Sequence, residues 1–203
     1  MMTLSRKWTW LTRQEWGAGT DLPRRGHPIG RARRTEVLVH HTMIIDDDAT
    51  MNEWESLGDV KRRMRILQTI RESDLGADVP YSVVAFCMAA GELVLCEGRG
   101  LDRTGAHTTG HNRSALGIAF QGNFETGRLP THFHAQLAAL GDWLGTLRSE
   151  EGFVNLGNHR PRDRDVWGHR DVKATQCPGQ KLFERLKLIQ FVEDDEMAMD
   201  KAT

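Results

Sequence analysis

The sequence has little of several features that would place it in a specialised class. Only three of its 203 residues are cysteines, so they cannot all pair with one another, which argues against a disulfide-built scaffold. No apolar run approaches the roughly 20 residues that span a bilayer, which predicts no stable membrane insertion. The formal net charge is −1, so the chain as a whole lacks the basic footprint of a nucleic-acid-binding protein.

The N-terminus also lacks a recognisable secretory signal, because residues 1–10 contain neither an apolar core nor a small-residue cleavage site. We therefore expect a protein that is made in the cytoplasm, or one that is secreted with its signal absent from this chain. What is present, 39% hydrophobic and 27% charged residues, is typical of one ordinary globular domain. The oligomeric state is not predicted.

Short apolar runs alternate with amphipathic stretches along most of the chain. Strands are predicted at 36–40, 81–87, 92–96, 115–121 and 166–169. Helices are predicted from a capping box at 50–53 to about 72, from Thr131 onward, and at about 182–189. This order favours an α/β fold, a single domain with a mixed central β-sheet flanked by helices.

We divide the chain into an N-terminal segment that packs on the domain (1–34), the domain itself (35–192) and an acidic C-terminal tail (193–203). Residues 1–34 read as irregular, with a turn that Trp16 anchors. Five arginines in the loop at 22–34 favour either a solvated loop or a contact for an anionic polymer. The three acids at 46–48 lack the alternating ligands and the closing Glu of an EF-hand calcium site.

Cys87 and Cys96 lie on the two arms of a predicted hairpin around residues 89–91. A turn centred on Ala90 and Gly91 does not place the two thiols directly opposite each other. Two buried free thiols are therefore favoured over a disulfide.

The stretch at 167–179, WGHRDVKATQCPG, places His169 and Cys177 eight positions apart across a turn. Imidazole and thiolate are both good zinc ligands, and two histidines with one cysteine form a known catalytic set with an open fourth position. The best candidate for the third ligand is one of His40 and His41, at the end of a predicted strand. Adjacent strand residues point to opposite faces, so only one of the two can face the site.

Six motifs in the same order resemble the type 2 N-acetylmuramoyl-L-alanine amidase family, which includes peptidoglycan recognition proteins and phage lysozyme-amidases. The motifs are RQEWGA at 13–18, VHHT at 39–42, Tyr81 with its strand, EGRG and GAH within 97–107, the stretch at 112–122, and GHRD through TQCPG at 168–179. The resemblance covers about residues 13–182. It implies a peptidoglycan recognition protein-like fold, one Zn²⁺ per chain and peptidoglycan as partner, through its stem peptide and muramic acid.

The resemblance also implies a metal site. The first histidine of the pair, His40, would be a ligand together with His169 and Cys177. His41 would point elsewhere and be structural.

Two catalytic residues are implied in the same way. Tyr81, the only tyrosine in the chain, would lie beside the zinc and donate to the scissile carbonyl or hold the water, with a core tyrosine as the alternative. Thr175 stands where some relatives carry lysine, and its hydroxyl would donate to the oxyanion. Some bacterial relatives carry a glutamate as candidate general base where this chain has Ala119, so the base is left open.

Substrate contacts are expected from three further residues. His107 would touch substrate near the metal, with a structural role and a role as alternative ligand also open. Arg99 and Asn112 would hold peptide or sugar groups. Of the other histidines, His111 has no assigned role, and four are expected at the surface: His27, His132, His134 and His159.

The resemblance implies zinc-dependent hydrolysis of the amide bond between N-acetylmuramic acid and L-alanine. A metal suits amide hydrolysis in general because it lowers the pKa of bound water from about 16 toward about 7. The missing signal favours a phage endolysin, released to the bacterial wall through a membrane lesion. The alternative is a recognition module that binds muropeptide without cutting it. Non-hydrolytic members of the family that this chain resembles typically lose the metal cysteine, whereas Cys177 is present here. A zinc-stabilised interaction domain would require a closed four-ligand site.

Overall fold

A six-stranded mixed sheet is the frame of the protein in the computed structural model, which describes residues 7–43, 52–69 and 77–192. The strands are β1 (Trp8–Leu11), β2 (Glu36–His41), β3 (Val83–Cys87), β4 (Leu93–Glu97), β5 (Ala115–Phe120) and β6 (Trp167–Gly168). Their spatial order is β1-β4-β3-β5-β2-β6. The β3–β4 hairpin is antiparallel, and all the other neighbours run parallel.

Helices cover both faces of this sheet. They are α1 (Arg13–Trp16), α2 (Leu57–Gln68), α3 (Phe133–Ser149), α4 (His169–Val172) and α5 (Gln180–Phe183), with 3₁₀ turns at Arg31–Arg33 and Leu186–Leu188. The α/β single-domain prediction is thereby confirmed. None of the helices in the described part of the chain has the length and apolar character needed to cross a bilayer.

Strand residues sort alternately between two apolar cores. Val37 and Val39 of β2 face the core that α3 covers, through residues such as Leu140. Val84 of β3 faces the other core, which α2 covers with Met64 and its neighbours. Because the central strands are buried on both faces, they appear in the sequence as continuous apolar runs rather than alternating ones.

The N-terminal segment is more regular than predicted. Residues 8–11 form β1, which extends the sheet by pairing in parallel with β4, so the interpretation of 1–34 as irregular was wrong. Thr12 and Glu15 form a capping box that begins α1. The predicted anchor is confirmed: Trp16 is fully buried, and its Nε1 donates to the carbonyl of Glu97 at 2.8 Å. A four-residue strand gives no clear periodic pattern in the sequence. Its partner β4 also lies far along the chain, so no local signal indicates the pairing.

Helix α2 begins later than predicted. Ser56 is its N-cap and accepts from the backbone N–H of Asp59 at 3.2 Å. Trp54 precedes the helix and is buried through a bridge to Met88, while Leu57 is 43% exposed rather than part of the apolar stripe. The predicted cap at 50–51 and the predicted end at 72 lie outside the described residues.

Helix α3 carries the predicted apolar stripe, but its start was predicted wrongly. It begins at Phe133 with His132 as N-cap and no side-chain cap bond. Thr131 instead donates its backbone N–H to Glu53 at 2.8 Å. The predicted C-terminal helix is divided into α5 and the 3₁₀ turn at Leu186–Leu188.

The arginine-rich loop is tied to the domain rather than solvated throughout. Arg34 is fully buried and donates to the carbonyls of Leu101 and Asn112 at 3.3 Å, and also to those of Arg103 and Ala115. Burial lowers the pKa of Arg34 to about 10, so the guanidinium is still charged at neutral pH. Two more arginines form ion pairs: Arg24 with Glu97, and Arg31 with Glu151. The other four arginines of the loop are exposed, as a solvated loop predicts, and Arg34 is the buried exception.

The two hairpin cysteines are buried free thiols, as predicted. Cys96 pairs in register with Val84, and Cys87 pairs with Leu93, so the two side chains are not opposite each other. They also belong to different cores on the two faces of the sheet, which excludes a bond between them.

Candidate metal centre

Three side chains from distant parts of the sequence meet at one end of β2. The ligand atoms of His40, His169 and Cys177 all lie within 4.8 Å of one another. His40 is near the end of β2, and β6 pairs beside it with Val39 opposite Gly168, so that His169 follows at the same level. Cys177 comes from the loop between α4 and α5, and its Sγ lies 3.6 Å from Nδ1 of His40. No further His, Cys, Asp or Glu joins this group among the described residues.

Local hydrogen bonds hold the His169 end of the site. The carboxylate of Asp171 accepts from the backbone N–H of Gly168 at 2.7 Å and from Arg164 at 2.6 Å, which fixes the first turn of α4. Arg170 of the same helix donates to the carbonyl of Gln176, the neighbour of Cys177. Helix α4 and the cysteine loop are therefore joined directly.

The cysteine loop has its own support. The backbone N–H of Cys177 donates to Oγ1 of Thr175 at 3.2 Å, which closes a small turn around the thiol. Gly179 follows with a φ of +88°, a conformation that favours glycine. A Cβ at Gly179 would lie 2.3 Å from the backbone of Phe124, so no side chain fits there.

His40 and His41 point to opposite sides of the sheet, as the alternation of strand residues requires. His41 accepts a hydrogen bond at Nδ1 from the backbone N–H of Phe124, at 3.2 Å, and burial lowers its pKa to about 4. The imidazole of His40, and not that of His41, belongs to the cluster with His169 and Cys177.

The electrostatics of the cluster suit a cation. Burial, followed by the neighbouring His107 and His169, holds the pKa of His40 well below its usual range, and burial also lowers the pKa of His169. Both imidazoles are thus neutral, as metal ligands must be. Burial raises the pKa of the Cys177 thiol to about 11, and a bound cation would deprotonate it. Two imidazoles and one thiol are a donor set that zinc accepts.

An open cavity of about 340 Å³ adjoins the cluster. Its lining carries no carboxylate among the described residues and consists of His40, His41, Thr42, Met43, Tyr81, His107, His169, Thr175, Gln176 and Cys177. The ring of Tyr81 lies 5.2 Å from that of His40, centroid to centroid. The two predicted catalytic residues, Tyr81 and Thr175, therefore share one cavity with the three predicted ligands.

The three predicted substrate contacts lie in different surroundings. His107 is in the cavity, with Nδ1 3.1 Å from Nε2 of His40. Asn112 and Arg99 do not line it; with His107 they line a neighbouring cavity of about 600 Å³. Asn112 accepts at Oδ1 from the backbone N–H groups of His107 and Thr108, at 2.9 and 3.0 Å, and so shapes this loop. Arg99 is buried, and its Nε donates to a backbone carbonyl, that of Val79, at 3.2 Å.

Ala119, the position for which the sequence analysis considered a general base, lies beside the candidate metal site. Ala119 is fully buried and pairs in register with His40 across β5 and β2. A longer side chain at this position would lie beside His40 of the candidate metal site. In this chain the same position carries a methyl group.

A second histidine cluster was missed by the sequence analysis. Buried Glu36 begins β2, at the end opposite to His40, and lies 2.7 Å from Nδ1 of His111 and 3.3 Å from Nδ1 of His159. His159 is largely exposed, as predicted, but it is not without a partner. Burial raises the pKa of the Glu36 carboxyl, but hydrogen bonds from His111, Ser114 and His159 together keep it below its ordinary value. Neither histidine neighbours Glu36 in sequence, so no local signal could have revealed the group.

The fold and the cluster define a class of protein, an α/β domain with a three-ligand candidate metal site at the end of a sheet. A family model described as N-acetylmuramoyl-L-alanine amidase matches residues 31–180. This match covers most of the chain, which therefore belongs to the N-acetylmuramoyl-L-alanine amidase family.

Individual relatives agree with this assignment. N-acetylmuramoyl-L-alanine amidases of Mus musculus and Homo sapiens are 35% and 33% identical to this chain over 86% of its length. The chain spans only 29% and 27% of those two proteins, less than a third of each. Peptidoglycan-recognition protein 1 of Holotrichia diomphalia is 29% identical over 88% of this chain and 79% of that protein.

Solved structures show the same fold. Wild-type Drosophila PGRP-LB has a TM-score of 0.65 and 27% identity, covering 87% of this chain and 91% of that chain. Peptidoglycan recognition protein-LE, in complex with tracheal cytotoxin, has a TM-score of 0.65 and 28% identity, covering 92% of this chain and 97% of that chain. Tracheal cytotoxin is described there as monomeric diaminopimelic acid-type peptidoglycan.

Proposed function

We propose that this chain is a zinc-dependent amidase that hydrolyses the bond between N-acetylmuramic acid and L-alanine of peptidoglycan. One observation carries the proposal: His40, His169 and Cys177 converge within 4.8 Å beside an open cavity, and the described residues offer no fourth ligand. A purely structural zinc site is closed by four protein ligands, whereas a catalytic one keeps a position for water or substrate.

Zinc, when bound, would supply a Lewis acid and an activated water. The protein's own part is to hold and orient the groups around it. Cys177 is held by its bond to Thr175, and His169 by the capped first turn of α4. Helix α4 packs against β2 and β6, and Arg170 joins it to the cysteine loop.

Two hydroxyl-bearing side chains line the cavity, and we assign them to the developing oxyanion of the tetrahedral intermediate. The phenol of Tyr81 lies in the cavity beside His40. Thr175 accepts a hydrogen bond from the N–H of Cys177, so its own hydroxyl proton is left to donate toward the cavity. We assign Tyr81 as the main donor and Thr175 as the second, neutral one.

Peptidoglycan as substrate is supported by the relatives. PGRP-LE and a Drosophila PGRP-LB variant have been solved in complex with tracheal cytotoxin. Both proteins share the fold of this chain at 26–28% identity. We infer that the stem peptide lies across the two adjoining cavities, with Arg99 and Asn112 in the walls of the second.

A non-hydrolytic recognition module is the second candidate, because many relatives are named peptidoglycan recognition proteins rather than amidases. The presence of Cys177 and Tyr81 in one cavity favours hydrolysis. A binding module has no chemical need for a thiol ligand or for a donor beside it.

Mass spectrometry of digested peptidoglycan separates the two candidates. We expect free stem peptides with an L-alanine N-terminus, released only by zinc-loaded protein. Binding to the polymer without release of peptides would support the recognition module. New reducing sugar ends would contradict both and indicate a glycosidase.

The phage endolysin role, with release from the cytoplasm to the wall, stays a prediction. We expect that expression inside a susceptible bacterium causes lysis only when a membrane-permeabilising protein is co-expressed. Lysis without such a protein would contradict the proposed release through a membrane lesion.

A further inference from the structure

His107 lines both cavities, and its ring is also in contact with His40 of the candidate metal site. Its Nδ1 lies 3.1 Å from Nε2 of His40, and the two rings meet edge to face with centroids 5.0 Å apart. On the other side of the His40 ring, Nδ1 lies 3.6 Å from Sγ of Cys177. The two nitrogens of His40 thus have different neighbours, the thiol at Nδ1 and His107 at Nε2.

Neither ring nitrogen of His107 is free to contact substrate. Nδ1 is occupied by His40 and by the hydroxyl of Thr108, at 3.1 and 3.2 Å. Nε2 is buried and has no hydrogen-bond partner among the described residues. Although the ring lines both cavities, a hydrogen bond from substrate to Nδ1 would compete with the contacts to His40 and Thr108.

The surrounding backbone is shaped to hold this ring. A Cβ at Gly117 would lie 2.4 Å from Cδ2 of His107, and a Cβ at Gly105 would lie 2.3 Å from the same atom. The backbone N–H of His107 donates to Oδ1 of Asn112, which fixes the backbone at this position. Gly105 and Gly117 leave space for the ring, and Asn112 anchors its backbone, with Nδ1 toward His40. This space is the seat of His107.

We propose that His107 is a positioning residue that orients His40 for metal binding, an inference that rests on the proposed zinc site. A metal bound at Nδ1 of His40 would leave the proton of that ring on Nε2, and this N–H would then donate to Nδ1 of His107. The hydrogen bond fixes both the tautomer and the ring plane of His40. His107 is thereby removed from the set of substrate contacts and placed behind the ligands.

Zinc affinity, measured by competition with a chromophoric chelator, tests this directly. His107→Leu fills most of the seat without an acceptor and is expected to weaken zinc binding by roughly 10–100-fold, the usual effect of losing a partner behind a ligand. His107→Asn places an amide oxygen near the position of Nδ1 and is expected to restore most of the affinity.

His111→Leu is the matched control. His111 lies in the same loop but contacts Glu36 instead of the metal cluster, so this variant should keep the zinc affinity of the wild type. Equal weakening by His111→Leu and His107→Leu would show that the loop's stability, not the contact to His40, is responsible. Unchanged affinity in His107→Leu with a raised KM for peptidoglycan would restore the substrate role and overturn the proposal.

A spectroscopic measurement gives an independent answer. Long-range ¹H–¹⁵N spectra of the zinc-loaded protein should show His40 protonated at Nε2 and His107 protonated at Nε2 with a bare Nδ1. A proton on Nδ1 of His107 in that state would contradict the proposal, since both partners would then be donors.

These results are separable from the proposed function. If the wild type binds zinc but releases no stem peptides, the amidase proposal fails while the affinity ratios still decide the role of His107. If the wild type binds no zinc, both proposals are overturned.

Discussion

Nδ1 of His40 lies 3.6 Å from Sγ of Cys177, although 137 positions separate the two residues. His40 is placed by a central strand buried on both faces, and Cys177 by a surface loop that is tied to α4 through Arg170. The contact between them therefore depends on the docking of β6 and its following loop against β2. We expect variants that weaken this docking to lose metal before they lose the sheet.

Cys177→Ser should abolish metal binding and amidase activity together. A serine hydroxyl is a poor replacement for a thiolate, so the loss of zinc affinity should exceed the ~100-fold that residues behind the ligands reach. Metal content by mass spectrometry and release of stem peptides are the two measurements. Cys96→Ala, a buried thiol outside the cluster, should keep both properties. Wall lysis by metal-free Cys177→Ser protein would disprove the mechanism.

Tyr81→Phe should separate catalysis from binding. We expect kcat to fall by roughly 10²–10³-fold, as for the loss of one oxyanion donor, with zinc content and KM nearly unchanged. Steady-state kinetics on a muropeptide, with zinc measured on the same sample, provides the comparison. A fully active Tyr81→Phe enzyme would assign the tyrosine to packing alone.

Thr175→Val should lower kcat by about 10-fold, because it removes both a hydroxyl donor and the acceptor for the Cys177 N–H. Thr175→Ser keeps the hydroxyl and is expected to retain most of the activity. Kinetics of the two variants side by side check this. Equal activity in the two variants would exclude a role for the hydroxyl.

Glu36→Gln should reduce stability in a pH-dependent way. The pKa of this carboxyl in the folded protein lies below its ordinary value of 4.5, so its contribution is present above the unfolded pKa and is lost as the pH falls through the folded one. We expect a loss of about 1–3 kcal/mol at pH 7, where the ionised carboxylate accepts from His111 and His159.

Urea denaturation of wild type and Glu36→Gln between pH 3 and pH 7 measures this effect. The difference between the two proteins should narrow below about pH 4.5 as Glu36 takes up a proton. A difference that stays constant over the whole range would show that the charge of Glu36 makes no contribution.

Gly117→Ala should disturb the metal centre through His107. The new Cβ would lie 2.4 Å from the ring of His107, so the ring must shift, at a cost of about 1–3 kcal/mol in stability. Zinc affinity and the midpoint of thermal unfolding are the measurements. Gly30→Ala is the control, because a Cβ there meets nothing within 4 Å. Equal behaviour of the two variants would contradict the tight seat of His107.

Sequence periodicity predicted most of the central sheet but not its edge. Strands β2, β3, β4 and β5 are buried on both faces, so each appears as a run of apolar residues that is visible without knowing its partners. β1 has four residues, and its pairing with β4 joins segments far apart in the chain. Such a strand is specified by the partner, not by its own pattern.

Helix boundaries were predicted less well than helix cores for a similar reason. Threonine is a favoured N-cap residue, so the sequence predicted Thr131 as the cap of α3, whereas the observed N-cap is His132. The backbone N–H and the hydroxyl of Thr131 both donate to the carboxylate of Glu53, a residue far away in sequence. A tertiary hydrogen bond of this kind overrides the local capping preference.

Residue chemistry by itself indicated which side chains can hold a metal here, since the imidazoles of His40 and His169 and the thiol of Cys177 are suitable zinc donors. Strand alternation also required that His40 and His41 diverge. The tertiary structure alone decided which atoms meet: it turned His107 toward His40, placed Ala119 where a carboxylate could have stood, and joined Glu36 to two histidines. The physical reason is that donor type is a property of a single residue, whereas distance and orientation arise from packing between segments that share no local sequence.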